Sequence, residues 1–155
     1  MGQQQLLLVI LVTIIVGIAT VVAINIFGTA ADQANRDAVR QDLLAAAAQA
    51  QALWARPAAM GGFGQSFATG EDVVLDIRRL NIPRSSDITD TYSETTIIND
   101  NGTFTIEENS GTGTSSTITI RGVPNSGGGW IEVTLNREDD AQGDTWEIEW
   151  AEGTD

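Results

Sequence analysis

The sequence has no cysteine, no histidine and no lysine, and its eight basic residues are all arginines. Without cysteine there is no disulfide framework and no thiolate metal site, and without histidine the usual zinc sites are excluded as well. Nucleophilic catalysis by Ser–His or Cys–His pairs is also excluded, as is a lysine base. The 21 acidic residues form no recognisable catalytic pair. We therefore expect a protein that is not an enzyme and uses no cofactor.

Positive charge is scarce, and the formal net charge at pH 7 is -13. Nothing in such a sequence could neutralise a row of phosphates, so we expect no nucleic-acid partner. The balance favours a well-solvated surface, and an acidic surface without lysine predicts adaptation to high salt, as in halophiles. The length of 155 residues leaves room for about one ordinary domain.

No charge precedes Asp32, and the run from Leu6 to Ile24 is interrupted only by Thr13, Gly17 and Thr20. A bilayer core about 30 Å thick needs about 20 such residues in a helix. The run is too long for a secretory signal peptide and lacks a basic start and a small-residue cleavage pattern. It predicts a membrane-length helix, for which a permanent membrane anchor is one explanation.

The stretch that follows, ADQANRDAVRQDLLAAAAQAQALW, is rich in helix formers and has no proline before Pro57. Its apolar residues recur at helical spacing and form one stripe, Val39, Leu43, Ala46, Ala50 and Leu53. Together the two stretches predict one helix from about residue 3 to Trp54. Its first half is apolar on all sides and its second half is amphipathic. Gly17 and Gly28 are the positions at which this helix could bend.

After Gly70 the hydrophobic period changes from helical to two. The alternating segments are EDVVLDI, TFTIEE, STITIRGV, WIEVTLN and TWEIEWAE. The residues predicted to face inward are Phe104, Ile106, Ile118, Ile120, Ile131, Val133, Leu135, Trp146, Ile148 and Trp150, with Trp130 also assigned to the sheet core. Asn101-Gly102, between two apolar runs, predicts a hairpin turn.

A single sheet with one solvent-exposed face must bury its other face against another element. The amphipathic half-helix can pack on that face through Val39, Leu43, Leu53 and Trp54. We therefore predict an α+β fold, in which a long N-terminal α-helix packs on a C-terminal antiparallel sheet of four or five strands. The predicted segments are the apolar helix at 1–30, its amphipathic continuation at 31–56, a glycine-rich loop at 57–72 and the β head at 73–155.

A short polar N-terminus, an apolar half-helix, an amphipathic half-helix and a C-terminal antiparallel sheet resemble a type IV pilin or a pilin-like filament subunit. The resemblance covers the whole architecture, but its sequence motif is confined to the N-terminal end. In that family a prepilin peptidase removes a short basic leader, a class III signal, after a glycine, and the new N-terminus is methylated. The resemblance implies processing and N-methylation at Met1, or at Gln3 if cleavage follows Gly2.

The sequence departs from the bacterial pilin pattern at several positions. Met1 stands where Phe is usual, Gln5 where Glu is usual, and Val22 at the family's helix-breaking proline. The C-terminal cysteine pair of many pilins is missing. The Gly-Gln junction is similar to that of archaeal pilins and archaellins, which commonly lack this Glu. Gln5 can still accept a hydrogen bond from the amino terminus of a neighbouring subunit, in place of the usual ion pair.

The resemblance implies a subunit that waits in the cytoplasmic membrane and then polymerises with its own copies, by helix bundling, into a cell-surface filament for adhesion, attachment or motility. Its other partners would be the prepilin peptidase and the pilus assembly machinery. The filament core would contain Gln5, Leu6, Leu7, Val9, Ile10, Ile14, Val16, Gly17, Val21 and Ile24. The alternatives are a pseudopilin of a type II-like secretion system and a monomeric, membrane-anchored ectodomain that binds a ligand.

Two further motifs carry less weight. Asn101-Gly102-Thr103 fits the N-glycosylation sequon, but a plain hairpin turn explains the same residues better. The stretches NDNG and DDAQGD resemble parts of calcium loops without the full ligand spacing, so we expect no metal site.

Overall fold

The computed structural model describes residues 2–67, 76–85, 95–112, 115–140 and 143–154. Helix α1 occupies Gly2–Ala55, and short 3-10 helices follow at Ala58–Met60 and Ile77–Arg79. The strands are β1 Thr96–Ile98, β2 Gly102–Thr112, β3 Ser115–Pro124, β4 Trp130–Asp140 and β5 Gly143–Gly153. The chain divides into two compact units, Met1–Ala34 and Asn35–Asp155. We call the second unit the head; it contains the later part of α1 and the whole sheet.

The five strands form one antiparallel sheet in sequence order, β1-β2-β3-β4-β5. The register sets apolar residues beside one another across the strands, with Ile106 opposite Ile120 and Ile120 opposite Val133. Val133 in turn lies opposite Trp150. This confirms the predicted antiparallel meander, with β1 as a short first strand.

The amphipathic part of α1 covers one face of this sheet, which confirms the predicted two-layer α+β fold. Its buried residues follow the helical period, as expected for an apolar stripe: Val39, Leu43, Ala46, Ala47, Ala50, Leu53 and Trp54. They share one core with sheet residues that are fully buried: Ile97, Phe104, Ile118, Ile120, Ile131, Val133 and Leu135. The four residues predicted to pack on the head therefore all lie in its core.

A close approach of α1 to β3 is possible because Gly122 has no side chain. A Cβ at this position would lie 2.7 Å from Val39 Cγ1 and 3.3 Å from Leu43 Cδ1. Ala46, Ala47 and Ala50 are buried on the same helix face, and small side chains there also allow a short distance between the two layers.

The predicted hairpin turn is present, but its position was wrong by one residue. Ile98 pairs with Thr103, and the Asn99 backbone N–H donates to the Gly102 carbonyl at 2.9 Å. The tip is therefore Asp100-Asn101 rather than Asn101-Gly102. The reason is the Asn99 side chain, whose Oδ1 accepts from the backbone N–H groups of Asn101 and Gly102, both at 2.9 Å.

The first predicted strand, EDVVLDI, lies mostly outside the described residues. Its last residue, Ile77, is fully buried but begins the 3-10 helix Ile77–Arg79, so the strand prediction was wrong there. Asp76 caps this turn by accepting a hydrogen bond from the Arg78 backbone N–H at 2.9 Å. The same contact explains why the chain turns at this point.

The assignment of Trp130 and Trp150 to the sheet core was wrong, although Trp146, Ile148 and Trp150 face inward as predicted. Trp130 lies on the face away from α1, where the Arg121 guanidinium carbon is 4.8 Å from its ring centroid. On β5, Trp146 packs at the core, but Ile148 and Trp150 on the same side are each 43% exposed. A helix about 10 Å wide cannot cover five strands spaced about 4.8 Å apart, so the edge strand stays partly open.

Candidate assembly surface

The N-terminal unit exposes a long apolar surface, which we call the apolar segment, Leu6–Ile24. Its large side chains are between 47% and 68% exposed: Leu6, Leu7, Leu8, Val9, Ile10, Leu11, Val12, Ile14, Ile15, Val16, Ile18, Val21, Val22 and Ile24. The mean hydropathy reaches 3.2, and by length and composition α1 can cross a membrane. A soluble monomer rarely exposes an apolar surface of this size, so we expect lipid or other protein to cover it.

The hydroxyl groups within the apolar segment are satisfied by the helix itself. Thr13 Oγ1 donates to the Ile10 carbonyl and Thr20 Oγ1 to the Val16 carbonyl, both at 2.8 Å. Because a helix also pairs its own backbone groups, these residues need no hydrogen-bond partner from lipid or from a neighbouring helix. The segment is therefore suited to both kinds of apolar surroundings.

One side of the apolar segment has a shallow depression that the sequence analysis missed. Ala19 and Ala23 lie four residues apart and line it together with Ile15, Ile18, Val22 and Ile26. Small residues at this spacing allow two helices to approach closely within an apolar medium. The spacing of the two alanines is the signal by which the depression could have been found.

The residues predicted for a filament core all lie on α1. All ten of them are exposed: Gln5, Leu6, Leu7, Val9, Ile10, Ile14, Val16, Gly17, Val21 and Ile24. The helix continues through Gly17 and Gly28, and a Cβ at either position would meet nothing within 4 Å. Bending at these glycines stays a prediction. Met1 lies outside the described residues, and Gln3 lies in the first turn of α1.

In the head, Asp42 joins α1 to the β1–β2 hairpin. Its Oδ2 accepts hydrogen bonds from Asn99 Nδ2 at 2.9 Å and from Asn101 Nδ2 at 2.8 Å. Asn35 Nδ2 donates to the Asn101 carbonyl at 2.9 Å. The amide nitrogen to which a glycan would be attached is thus part of a contact within the head, which favours the hairpin interpretation of Asn101.

A second polar contact fixes α1 to the end of β5. Glu152 accepts from Arg36 Nη2 at 2.9 Å and also from Arg40, while Arg36 Nη1 donates to the Gly128 carbonyl. The hydrogen bond from Arg40 is the main cause that lowers the pKa of Glu152, and the same bond raises the pKa of Arg40. These side chains are between 23% and 40% exposed, so each pair stabilises the head only modestly.

A cation and three aromatic rings pack together where α1 ends. The Trp54 and Trp146 rings meet edge to face with centroids 5.3 Å apart, and the Arg137 guanidinium carbon lies 4.2 Å from the Trp54 centroid. Phe67 extends the group, with its centroid 6.0 Å from that of Trp146. The geometry is that of a packed core with cation–π contacts, and it explains why Trp54 is buried.

Among the described residues, no three acidic, histidine or cysteine side chains come close enough to hold a metal ion. The side chains of DDAQGD lie outside the described residues.

Comparison with known protein families, curated proteins and solved structures finds no match for this chain.

Proposed function

We propose that the protein is a structural subunit of an extracellular type IV pilus-like filament, in which the apolar segments of many copies bundle to form the core. The observation that supports this most strongly is the apolar segment itself, which has no charge and whose large side chains are at least 47% exposed. Such a surface is compatible with lipid before assembly and with a helical bundle afterwards, because both surroundings are apolar.

The continuity of α1 supports the same proposal. A membrane anchor requires about 20 residues, whereas α1 extends from Gly2 to Ala55 and its later part forms the covering layer of the head. One helix therefore contributes both the assembly surface and part of the head core. A permanent anchor would not need this amphipathic continuation.

In this proposal the precursor is processed by a prepilin peptidase at Met1, with Gln3 as the alternative, and N-methylated. The subunit then waits in the cytoplasmic membrane until the assembly machinery adds it to the filament. The assembled filament serves adhesion, surface attachment or motility at the cell surface. A monomeric, membrane-anchored ectodomain is the second candidate, which the membrane length of α1 also supports.

Electron microscopy of the purified wild-type chain and of Ile14→Asp tests the proposal. An unpaired carboxylate in the apolar core costs about 2.5–3.5 kcal/mol on insertion scales, so we expect helical filaments from the wild type and none from the variant. Gln41→Asp is the matched control, since Gln41 is an exposed residue of the same helix outside the apolar segment.

Near-UV circular dichroism should show the same folded head in all three proteins, and membrane fractionation should show that each reaches the membrane. Normal filament yield from Ile14→Asp would contradict the proposal. A wild-type chain that stays monomeric under every assembly condition would instead favour the anchored ectodomain.

A further inference from the structure

The β1–β2 hairpin contains a chemically labile pair of residues. Asn101-Gly102 is the only Asn-Gly dipeptide of the sequence. In such a dipeptide the backbone nitrogen of the glycine can attack the side-chain carbonyl carbon of the asparagine, because glycine has no Cβ to obstruct the approach. Asparagine is counted among the thermolabile residues for this kind of reaction. The hairpin nevertheless depends on both members of the pair.

Gly102 is required by the close approach of β2 to β3. A Cβ at this position would collide with the Val123 carbonyl oxygen and would lie 3.0 Å from the carbonyl carbon of the same residue. These are backbone atoms, so they cannot move aside as the end of a flexible side chain would. A larger residue in place of the glycine would therefore push the two strands apart.

Asn101 is required because it joins three parts of the head through hydrogen bonds. Its backbone N–H donates to Asn99 Oδ1 at 2.9 Å, within the hairpin. Its carbonyl accepts from Asn35 Nδ2 of α1 at 2.9 Å and from the backbone N–H of Asn125, after β3, at 3.0 Å. Its side-chain Nδ2 donates to Asp42 Oδ2, also on α1, at 2.8 Å.

The same contacts oppose the reaction between the two residues. To react, the Asn101 side chain must turn back toward its own backbone, which breaks its hydrogen bond to Asp42. The Gly102 nitrogen must also lose its proton, which in the fold is donated to Asn99 Oδ1 at 2.9 Å. We propose that Asn101 is a site of spontaneous deamidation, which is blocked while the hairpin is bound to α1 and reacts when the hairpin opens. The proposal concerns the head alone and does not depend on filament assembly.

The reaction needs no reagent besides solvent water. In the opened hairpin the Gly102 nitrogen forms a bond to Asn101 Cγ, the bond between Cγ and Nδ2 breaks, and ammonia leaves with the proton that the attacking nitrogen gives up. The product is a cyclic imide. Water then adds to either carbonyl carbon of the ring, and ring opening gives an aspartate or an isoaspartate at position 101.

Neither product can restore the contact that the asparagine made. A carboxylate at position 101 has no N–H to donate, and it would face the carboxylate of Asp42, so that two like charges meet in a part-buried place. An isoaspartate also adds one atom to the backbone, which disturbs the register in which Ile98 pairs with Thr103. Each reaction therefore loosens the hairpin irreversibly, and the modified heads accumulate with time.

Deamidation of native and urea-unfolded full-length chains at mildly alkaline pH tests the proposal. Mass spectrometry of the peptide that contains Asn101, with isoaspartyl methyltransferase labelling, gives the rate. We expect native wild type to react at least about tenfold more slowly than unfolded wild type, since only the opened fraction reacts. Native Asp42→Ala should react about tenfold or more faster than native wild type, and the two should react equally in urea. Asp37→Ala is the matched control and should behave as wild type.

Three results would overturn the proposal: equal native rates for wild type and Asp42→Ala, a native wild type that reacts as fast as the unfolded chain, or no reaction at Asn101 in urea. If Asp42→Ala does not fold, Asn35→Ala repeats the test, because it removes the hydrogen bond from α1 to the Asn101 carbonyl.

Asn101→Asp measures the effect of the product directly. We expect its urea midpoint to lie below that of wild type, and the double variant Asp42→Asn/Asn101→Asp to recover part of the loss, because the like charges no longer meet. An unchanged midpoint for Asn101→Asp would overturn the irreversible loosening of the hairpin.

Discussion

At the scale of single residues, the head relies on polar side chains to hold its hairpin on the helix. One oxygen of Asp42 accepts from the amides of both Asn99 and Asn101. Both amides are part-buried, so they cannot simply exchange this carboxylate for bulk water. A buried donor left without a partner costs more than a hydrogen bond gains on average.

We therefore predict that Asp42→Ala lowers the free energy of unfolding of the head by about 2–3 kcal/mol. Asp37→Ala is the control, because Asp37 lies on the same helix, is 62% exposed, and pairs with Arg40 at the surface. Its effect should stay below about 1 kcal/mol. Urea unfolding followed by tryptophan fluorescence measures the stability of both variants. Equal unfolding midpoints would show that Asp42 does not hold the β1–β2 hairpin on α1.

At the scale of elements, the distance between α1 and β3 is set by Gly122. An added methyl group would press on Val39 Cγ1, at 2.7 Å. We predict that Gly122→Ala costs about 1–3 kcal/mol of head stability by overpacking. In a Val39→Ala background the same change should cost much less, because the opposing methyl group is gone. Thermal unfolding of the four proteins gives the coupling energy; an equal cost in both backgrounds would mean that the two elements are not in tight contact there.

Elements with a regular period were predictable from the sequence. The apolar stripe from Val39 to Trp54 follows the helical period, and the apolar residues around Ile120 and Val133 alternate with the strand period. The residues of each buried face could therefore be predicted from the sequence. The turn at Asp100-Asn101 could not, because it depends on one hydrogen-bonding choice of the Asn99 side chain.

The partial exposure of the edge strand β5 could also not be predicted from sequence patterns. The exposure of Ile148 and Trp150 depends on how much of the sheet one helix can cover, whereas their alternation alone predicts burial. By contrast, the apolar segment was evident from composition, since length and lack of charge define it.

At the scale of the whole molecule, charge and apolar surface are separated along the chain. The first charged residue is Asp32, and every arginine lies after Ala34. In the proposed filament the apolar segment therefore contributes no electrostatic repulsion, and the acidic head contributes most of the net charge of -13. A filament that brings many heads together must overcome the repulsion between them.

The response to salt follows from this separation. The Debye length falls from about 30 Å at 0.01 M to about 3 Å at 1 M salt, so repulsion between whole heads acts in dilute buffer and nearly vanishes in brine. The eight arginines cannot balance 21 carboxylates within each subunit. We predict that filaments resist heat and detergent markedly better at about 1 M than at about 0.01 M NaCl, measured as the temperature of disassembly by light scattering.

The unassembled Ile14→Asp chain is the control, because its unfolding temperature reports the effect of salt on a single head. If the filament gains no more than this control, repulsion between heads does not limit assembly, and the acidic surface only keeps the protein soluble.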